Sequence, residues 1–178
     1  NMVETADEVD AQYGIPIFSL YGEVRRPSPA MMDTADVFLF DLQDLGCRIY
    51  TFVTTLLYLL EAPSGTGQSV WVLDRPNPAG RPVEGTLLLP GQESFVGAGP
   101  MPMRHGLTLG EMGKWLVEHF KLDVDCRVIE MQGWQPDEGP GFGWPSSRIW
   151  INPSPNAASL NMARAYAGTV MLEGATLS

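Results

Sequence analysis

The sequence predicts an α/β fold: a Rossmann-like, mostly parallel sheet with helices on both faces, incomplete at both chain ends. Two observations carry the prediction. Short runs rich in apolar, β-branched and aromatic residues recur along the 178 residues, and segments with apolar side chains at helical spacing lie between them. The runs are continuously apolar rather than alternating, as strands of a parallel sheet covered on both sides are. With 44% hydrophobic residues, the chain reads as one α/β domain over 1–178. A complete domain of this size buries about 70% of its unfolded surface.

Each element has a local reason. "IPIFSL" (15–20) is a short apolar run and predicts a first strand. Ser28 and Pro29 are the cap and first-turn pair of a short helix over 28–35. "DVFLFD" (36–41) is a second, buried strand. Phe52, Val53, Leu56, Leu57 and Leu60 mark a crossover helix over 50–62, and "SVWVLD" (69–74) a third strand. A proline- and glycine-rich excursion (75–107) follows. Thr108 and Glu111 then form a capping box for a helix over 108–120 whose Met112, Trp115, Leu116 and Phe120 face the sheet. "CRVIEM" (126–131) is a fourth strand. An irregular stretch with three tryptophans (132–157) leads to a helix over 158–167.

Composition narrows the function. The chain has 15 prolines and 19 glycines, a larger share than the usual one of about 12%. Five tryptophans and seven phenylalanines accompany them, so these stretches read as ordered loops. A formal net charge of −10, with eleven scattered Lys and Arg, argues against a nucleic-acid partner. It leaves room for a small anion held by a few local arginines. Cys47 and Cys126 are too few for a metal cluster and their spacing proves no disulfide. No apolar run reaches the length of a membrane span, and "NMVETADEVD" lacks the features of a signal peptide.

Ligands of open parallel sheets bind beyond the carboxyl ends of the strands, where successive loops share one edge. The first predicted strand runs into Tyr21, Gly22 and Glu23, the second into Asp41, Gln43 and Asp44, the third into Asp74, Arg75 and Asn77. This convergence predicts a pocket rim. Singly, Asp41 and Asp74 are as well explained as loop caps, and Arg48, four residues after Asp44, as its ion-pair partner.

Several chemistries lack their motif. No strand precedes a G-x-G-x-x-G, and there is no G-x-x-x-x-G-K-[ST] or G-x-S-x-G. His105 and His119 fit no zinc spacing, and a hard divalent ion would find only Asp41 and Asp44. No cofactor and no metal are expected. What remains is carboxylate chemistry on a polyhydroxylated ligand, with Glu23, Asp41, Asp44, Asp74 and Glu173 as acids. Trp134, Trp144 and Trp150 supply either a wall for a sugar ring or packing beneath a long loop.

Six motifs in order, "IPIFSLYGE", "FDLQDLGCRIYT", "VLDRPNPAGRPVEG", "PMRHGLTLGE", "PSPN" and "GTVMLEG", resemble those of the NamZ-type exo-β-N-acetylmuramidases, glycoside hydrolases of bacterial cell-wall turnover. The resemblance implies a Rossmann-like N-terminal domain, a smaller C-terminal domain and an active site between them. It implies release of N-acetylmuramic acid from the non-reducing ends of peptidoglycan fragments in an extracytoplasmic setting. A non-catalytic muramic-sugar or peptidoglycan-binding module is the alternative. Family members carry a Gly-Pro-Glu-His-Gly stretch upstream, whose glutamate is a leading candidate for the catalytic acid, and continue past the Glu-Gly motif, so this chain is expected to be a fragment that is inactive alone. Its partners would be peptidoglycan-derived sugars and the missing remainder of the same polypeptide. An unpaired sheet edge is expected to make it marginally soluble or to pair it with another piece. The family's Thr-Asn after Glu-Gly is Ala175-Thr176 here.

On the matching motifs, Glu23 and Asp44 are expected to be the reacting groups, and Asp41 to orient the ligand or Arg75. Arg48, Arg75 and Arg104 are candidates to grip the lactyl carboxylate of the muramic sugar, since a planar guanidinium clamps a carboxylate through two parallel hydrogen bonds. His105 either bonds a substrate oxygen or fixes its own loop. Asp74, Asn77, Ser154, Asn156 and Glu173 complete the expected substrate contacts.

Overall fold

The structure is a computed structural model, and it describes residues 5–134, 144–145 and 147–173. Strands β1 (Glu8–Val9) and β2 (Pro16–Ile17) form a small antiparallel hairpin in which Glu8 pairs with Ile17 and Val9 with Pro16. The one-turn helix α1 (Pro29–Met32) follows. Then come β3 (Val37–Phe40), α2 (Phe52–Glu61), β4 (Ser69–Leu73), α3 (Leu109–Phe120), β5 (Asp125–Ile129) and α4 (Leu160–Thr169). Strands β3, β4 and β5 make a parallel sheet in that order, with Phe40 opposite Val72 and Val72 opposite Val128.

The order follows from the connections. Each parallel neighbour is reached through a helical crossover, and crossovers are right-handed. Two of them stepping in the same direction bring α2 and α3 to the same face. That face is dry: Phe40, Val70 and Val72 of the sheet meet Val53, Leu56 and Leu60 of α2 and Met112 and Leu116 of α3. Gly113 of α3 faces this side too: a Cβ there would meet Val72 at 3.4 Å and Leu56 at 3.8 Å, ordinary packing distances. On the other face, among the described residues, Leu39 stays 60% exposed and Ile129 45%, and Arg127 lies over the Trp71 ring at 5.5 Å.

The caps are as the sequence predicts. Ser28 Oγ accepts from the Met31 amide. At α3, Thr108 Oγ1 accepts from the Glu111 amide at 3.2 Å while Glu111 accepts from the Thr108 amide at 2.9 Å. Lys121, at φ +55°, closes α3 in the left-handed conformation.

One expected strand is corrected. Of residues 15–20 only Pro16 and Ile17 are strand, and they pair with Glu8 and Val9 rather than with the parallel sheet. Pro16 has no ladder donor, which confines it to an edge. The Ser19 amide turns instead to Asp7, donating to its carboxylate at 2.7 Å.

The long excursion between β4 and α3 is ordered by bonds back to the loop after β3. The Arg48 amide donates to Met103 at 2.9 Å, Glu84 and Arg104 exchange both backbone bonds, and Arg104 bridges to Cys47. Both cysteines are free thiols.

Candidate functional site

The loops after β3 (41–51) and β4 (74–80) leave the same carboxyl edge of the sheet, and the polar residues the sequence singles out gather there. Their roles differ.

Asp74 is a strut. Its Oδ1 accepts from the amides of Gly110 at 2.8 Å and Arg75 at 3.0 Å, and its Oδ2 from Thr108 Oγ1 at 2.9 Å. A carboxylate at the N-terminus of α3 satisfies amides that have no helical partner and meets the positive end of the helix dipole. Burial pushes the Asp74 carboxyl above its ordinary value, and these bonds pull it only part of the way back. Glu111, in the same turn, goes the other way. Burial alone would raise it, but the bond from Arg81 at 2.7 Å and the Thr108 amide bring it below its ordinary value.

Asn77 locks two loops together. Its Nδ2 donates to the Leu107 carbonyl at 2.9 Å and its Oδ1 accepts from the Ala79 amide at 2.8 Å. The ring of contacts closes on Gly46, at φ +74°, where a Cβ would lie 2.1 Å from Asn77 Oδ1. Gln43 ties the same loops by donating to the carbonyls of Asp44 and Pro76.

Asp44 and His105 form a buried pair, each 5% exposed. Asp44 Oδ2 accepts from the Gly46 amide at 2.6 Å and lies 3.3 Å from His105 Nε2. His105 Nδ1 accepts from the Leu107 amide at 3.2 Å, so a neutral ring carries its proton on Nε2, facing Asp44. The approach is close but poorly aligned for a hydrogen bond, and Asp44 Oδ1 has no hydrogen-bond partner among the described residues. In this geometry Asp44 and His105 hold their loops.

All three expected carboxylate-gripping arginines have partners, and only Arg75 lines the groove described below. Arg48 is 8% exposed and donates from Nη1 to the carbonyls of Thr86 at 2.9 Å and Met101 at 2.7 Å. It pins the excursion and is not the partner of Asp44. Arg104 donates to Glu84 at 2.5 Å. Arg75, 29% exposed at its side chain, is held by Asp41 through Nε at 2.7 Å and Nη2 at 2.5 Å, both on Oδ1.

Asp41 and Arg75 line a groove of about 270 Å³ together with Phe52, Trp144, Arg148 and Asn152. Trp144 stands edge-on to Trp150, with ring centroids 5.2 Å apart, and donates from Nε1 to the Arg148 carbonyl at 3.1 Å. Of the three tryptophans proposed as a wall, Trp144 lines the groove. Trp150 packs beside the second buried cluster, Leu45, Tyr50, Ala157 and Ala163, and donates to the Ala157 carbonyl at 2.7 Å. Trp134 lies under Arg81 at 5.3 Å. A larger concavity of about 610 Å³ opens at the amino end of the sheet, between Met32, Asp36, Ala62 and Gln68, away from this polar cluster.

Glu23 is exposed and follows a loop that reaches the edge without sheet pairing. Tyr21 Oη and Thr51 Oγ1 share a hydrogen bond at 2.7 Å, which tethers this loop to the start of α2. Arg25 sits over the Tyr21 and Phe95 rings at 5.1 and 4.9 Å. Ser154 lies beside Tyr50, whose hydroxyl burial pushes up to about 12. Glu173 is exposed near Tyr166, which burial likewise pushes up to about 12. The side chain of Asn156 lies outside the described residues. Sequence reasoning missed Phe52, Arg148 and Asn152 as groove residues. Phe52 counts there only toward helix periodicity, and the other two sit in a loop with none.

A Rossmann-like sheet with a largely apolar groove, edged by charged side chains, beyond the ends of neighbouring strands is an arrangement in which α/β proteins bind small molecules. Residues 1–161 match the family described as exo-beta-N-acetylmuramidase NamZ, N-terminal, and the chain belongs to that family. Over 177 residues it is 36% identical to the peptidoglycan beta-N-acetylmuramidase NamZ of Bacillus subtilis (strain 168), an alignment covering 98% of this chain and 42% of that protein. Two crystal structures of DUF1343 family proteins from Bacteroides fragilis NCTC 9343 share the fold. One has a TM-score of 0.84 at 33% identity, covering 93% of this chain and 43% of that one. The other has a TM-score of 0.79 at 31% identity, covering 93% and 45%. The chain thus spans about two fifths of the length of these relatives.

Proposed function

We propose that this chain is part of a glycoside hydrolase that releases N-acetylmuramic acid from the non-reducing ends of peptidoglycan fragments. The observation that carries the reading is the groove at the carboxyl edge of the sheet, in a chain that belongs to the NamZ family. Its aromatic wall, Phe52 and Trp144, suits the apolar face of a sugar ring, and Asp41, Arg75 and Asn152 offer donors and acceptors to hydroxyl and amide groups. Glu23 is the reacting carboxylate in this reading, since it is exposed and its loop is tethered to the same edge. Asp44 acts behind the wall, setting the Gly46 turn and His105. An extracytoplasmic setting, where peptidoglycan is met, belongs to the same proposal. Among the described residues no helix is long and apolar enough to cross a membrane.

The test is release of a chromogenic leaving group from a muramic-acid glycoside by the intact protein and by its Glu23→Gln variant. The reading predicts turnover that the variant loses. A second reading, a sugar-binding module without catalysis, draws on a specific observation: Asp44 and Asp74 are both committed to structural bonds. It predicts muramic-sugar binding with no turnover and no change on Glu23→Gln.

A further inference from the structure

Which part of a sugar the groove recognises is written in its charges. Arg75 spends Nε and Nη2 on a single oxygen of Asp41, Oδ1. This leaves Arg75 Nη1 and Asp41 Oδ2 without a partner among the described residues. The Asp41 bond fixes the plane of the guanidinium, which a long side chain otherwise loses entropy to hold. Arg148, on the facing loop, is exposed, and its side chain has no hydrogen bond or ion pair among the described residues. Two guanidiniums and one carboxylate thus face a single groove, in a chain whose net charge is −10. A local excess of positive charge against an acidic background selects an anion. Phe52 and Trp144 beside it add an apolar surface, so the preferred ligand carries a carboxylate next to a ring or alkyl face.

We propose that this groove is a carboxylate-selective subsite in which Arg75, aimed by Asp41, and Arg148 grip the acidic substituent of the sugar. The inference rests on the glycosidase reading and deepens it, because it names what separates N-acetylmuramic acid from neutral N-acetylglucosamine at this site. Arg75 and Arg148 are specificity-determining residues. Asp41 is a positioning residue that acts through Arg75.

The experiment is calorimetric titration of the intact protein with three methyl glycosides: N-acetylmuramic acid, its lactyl methyl ester, and N-acetylglucosamine. The ester keeps shape and loses charge. Charge-assisted bonds of this kind make the acid bind tighter than either neutral sugar by on the order of tenfold to a hundredfold. Arg75→Gln with Arg148→Gln should collapse that preference to about twofold or less. Asp41→Asn should weaken acid binding and raise KM for the acidic glycoside with kcat nearly unchanged. Arg26→Gln, at the Glu61 pair on α2, should retain the full preference. Equal binding of acid and ester by the unaltered protein overturns the subsite while leaving the glycosidase reading standing. So does a preference that survives the double substitution. Binding of none of the three sugars removes both.

Discussion

Asp74 and Gly110 meet where β4 hands over to α3: the Asp74 carboxylate accepts the Gly110 amide at 2.8 Å, and a Cβ on Gly110 would stand 2.8 Å from the carboxyl carbon. The same Cβ would come within 2.5 Å of Val128 Cγ1. Helix, strand end and carboxylate are therefore fitted to a residue without a side chain. Gly110→Ala should destabilise the fold by about 1–3 kcal/mol through overpacking, although alanine is the better helix former. Urea unfolding measures it, and an unchanged midpoint would mean that α3 rides free of the sheet edge.

Asp74 and Glu111 should give opposite pH signatures. A folded-state pKa raised above the unfolded one means the folded state holds the proton more tightly. The Asp74 contribution is therefore full below its ordinary value of 3.8 and declines as pH rises through the folded value. Glu111 is lowered in the folded state, so its contribution is full above 4.5 and is lost as pH falls through the folded value. Urea midpoints between about pH 3 and 6 test this for the unaltered protein, Asp74→Asn and Glu111→Gln. The advantage of the unaltered protein should shrink with rising pH against the first variant and grow against the second. Slopes of the same sign would contradict the assignment.

Arg48 should matter for stability and not for sugar choice. Its Nη1 serves the Thr86 and Met101 carbonyls from an interior position. Arg48→Met leaves both without that donor and should cost about 2–4 kcal/mol. Limited proteolysis should find new cleavage between residues 84 and 104. The ratio of muramic acid to N-acetylglucosamine binding should be unchanged, whereas a changed ratio would return Arg48 to the groove.

Tyr21→Phe removes only the oxygen that reaches Thr51. The expected loss of stability is about 0.5–1.5 kcal/mol. Faster proteolysis should follow, confined to residues 18–25. General loosening would contradict a local tether.

Much of this was legible in the sequence because it is local. The Thr108–Glu111 capping box, the Ser28–Pro29 helix start, and the strands ending before Asp41 and Asp74 depend on neighbours a few residues apart. The gathering of Asp41, Asp44, Asp74, Arg75 and Asn77 at one edge was legible too, since parallel strands deliver their loops to the same side. Their division of labour was not. Asp74 meets Gly110 across 36 positions and Arg48 meets Met101 across 53, and such contacts leave no periodicity to read. Residues 15–20 misled because their apolar run resembles a buried strand, while Pro16 and the Ser19–Asp7 bond turn it into a hairpin edge. Arg148 and Asn152 sit in a stretch that composition marks only as irregular.

That the groove beside Asp41 and Arg75 belongs to an enzyme cleaving muramic-acid glycosides is our proposal. Its most direct measurement is the initial rate of chromophore release from such a glycoside by the intact protein, set against the matching N-acetylglucosaminide. Steady turnover of the muramic substrate, well above that of the glucosaminide and abolished by Glu23→Gln, is the predicted result. Tight binding of the muramic sugar with no chromophore released would contradict it.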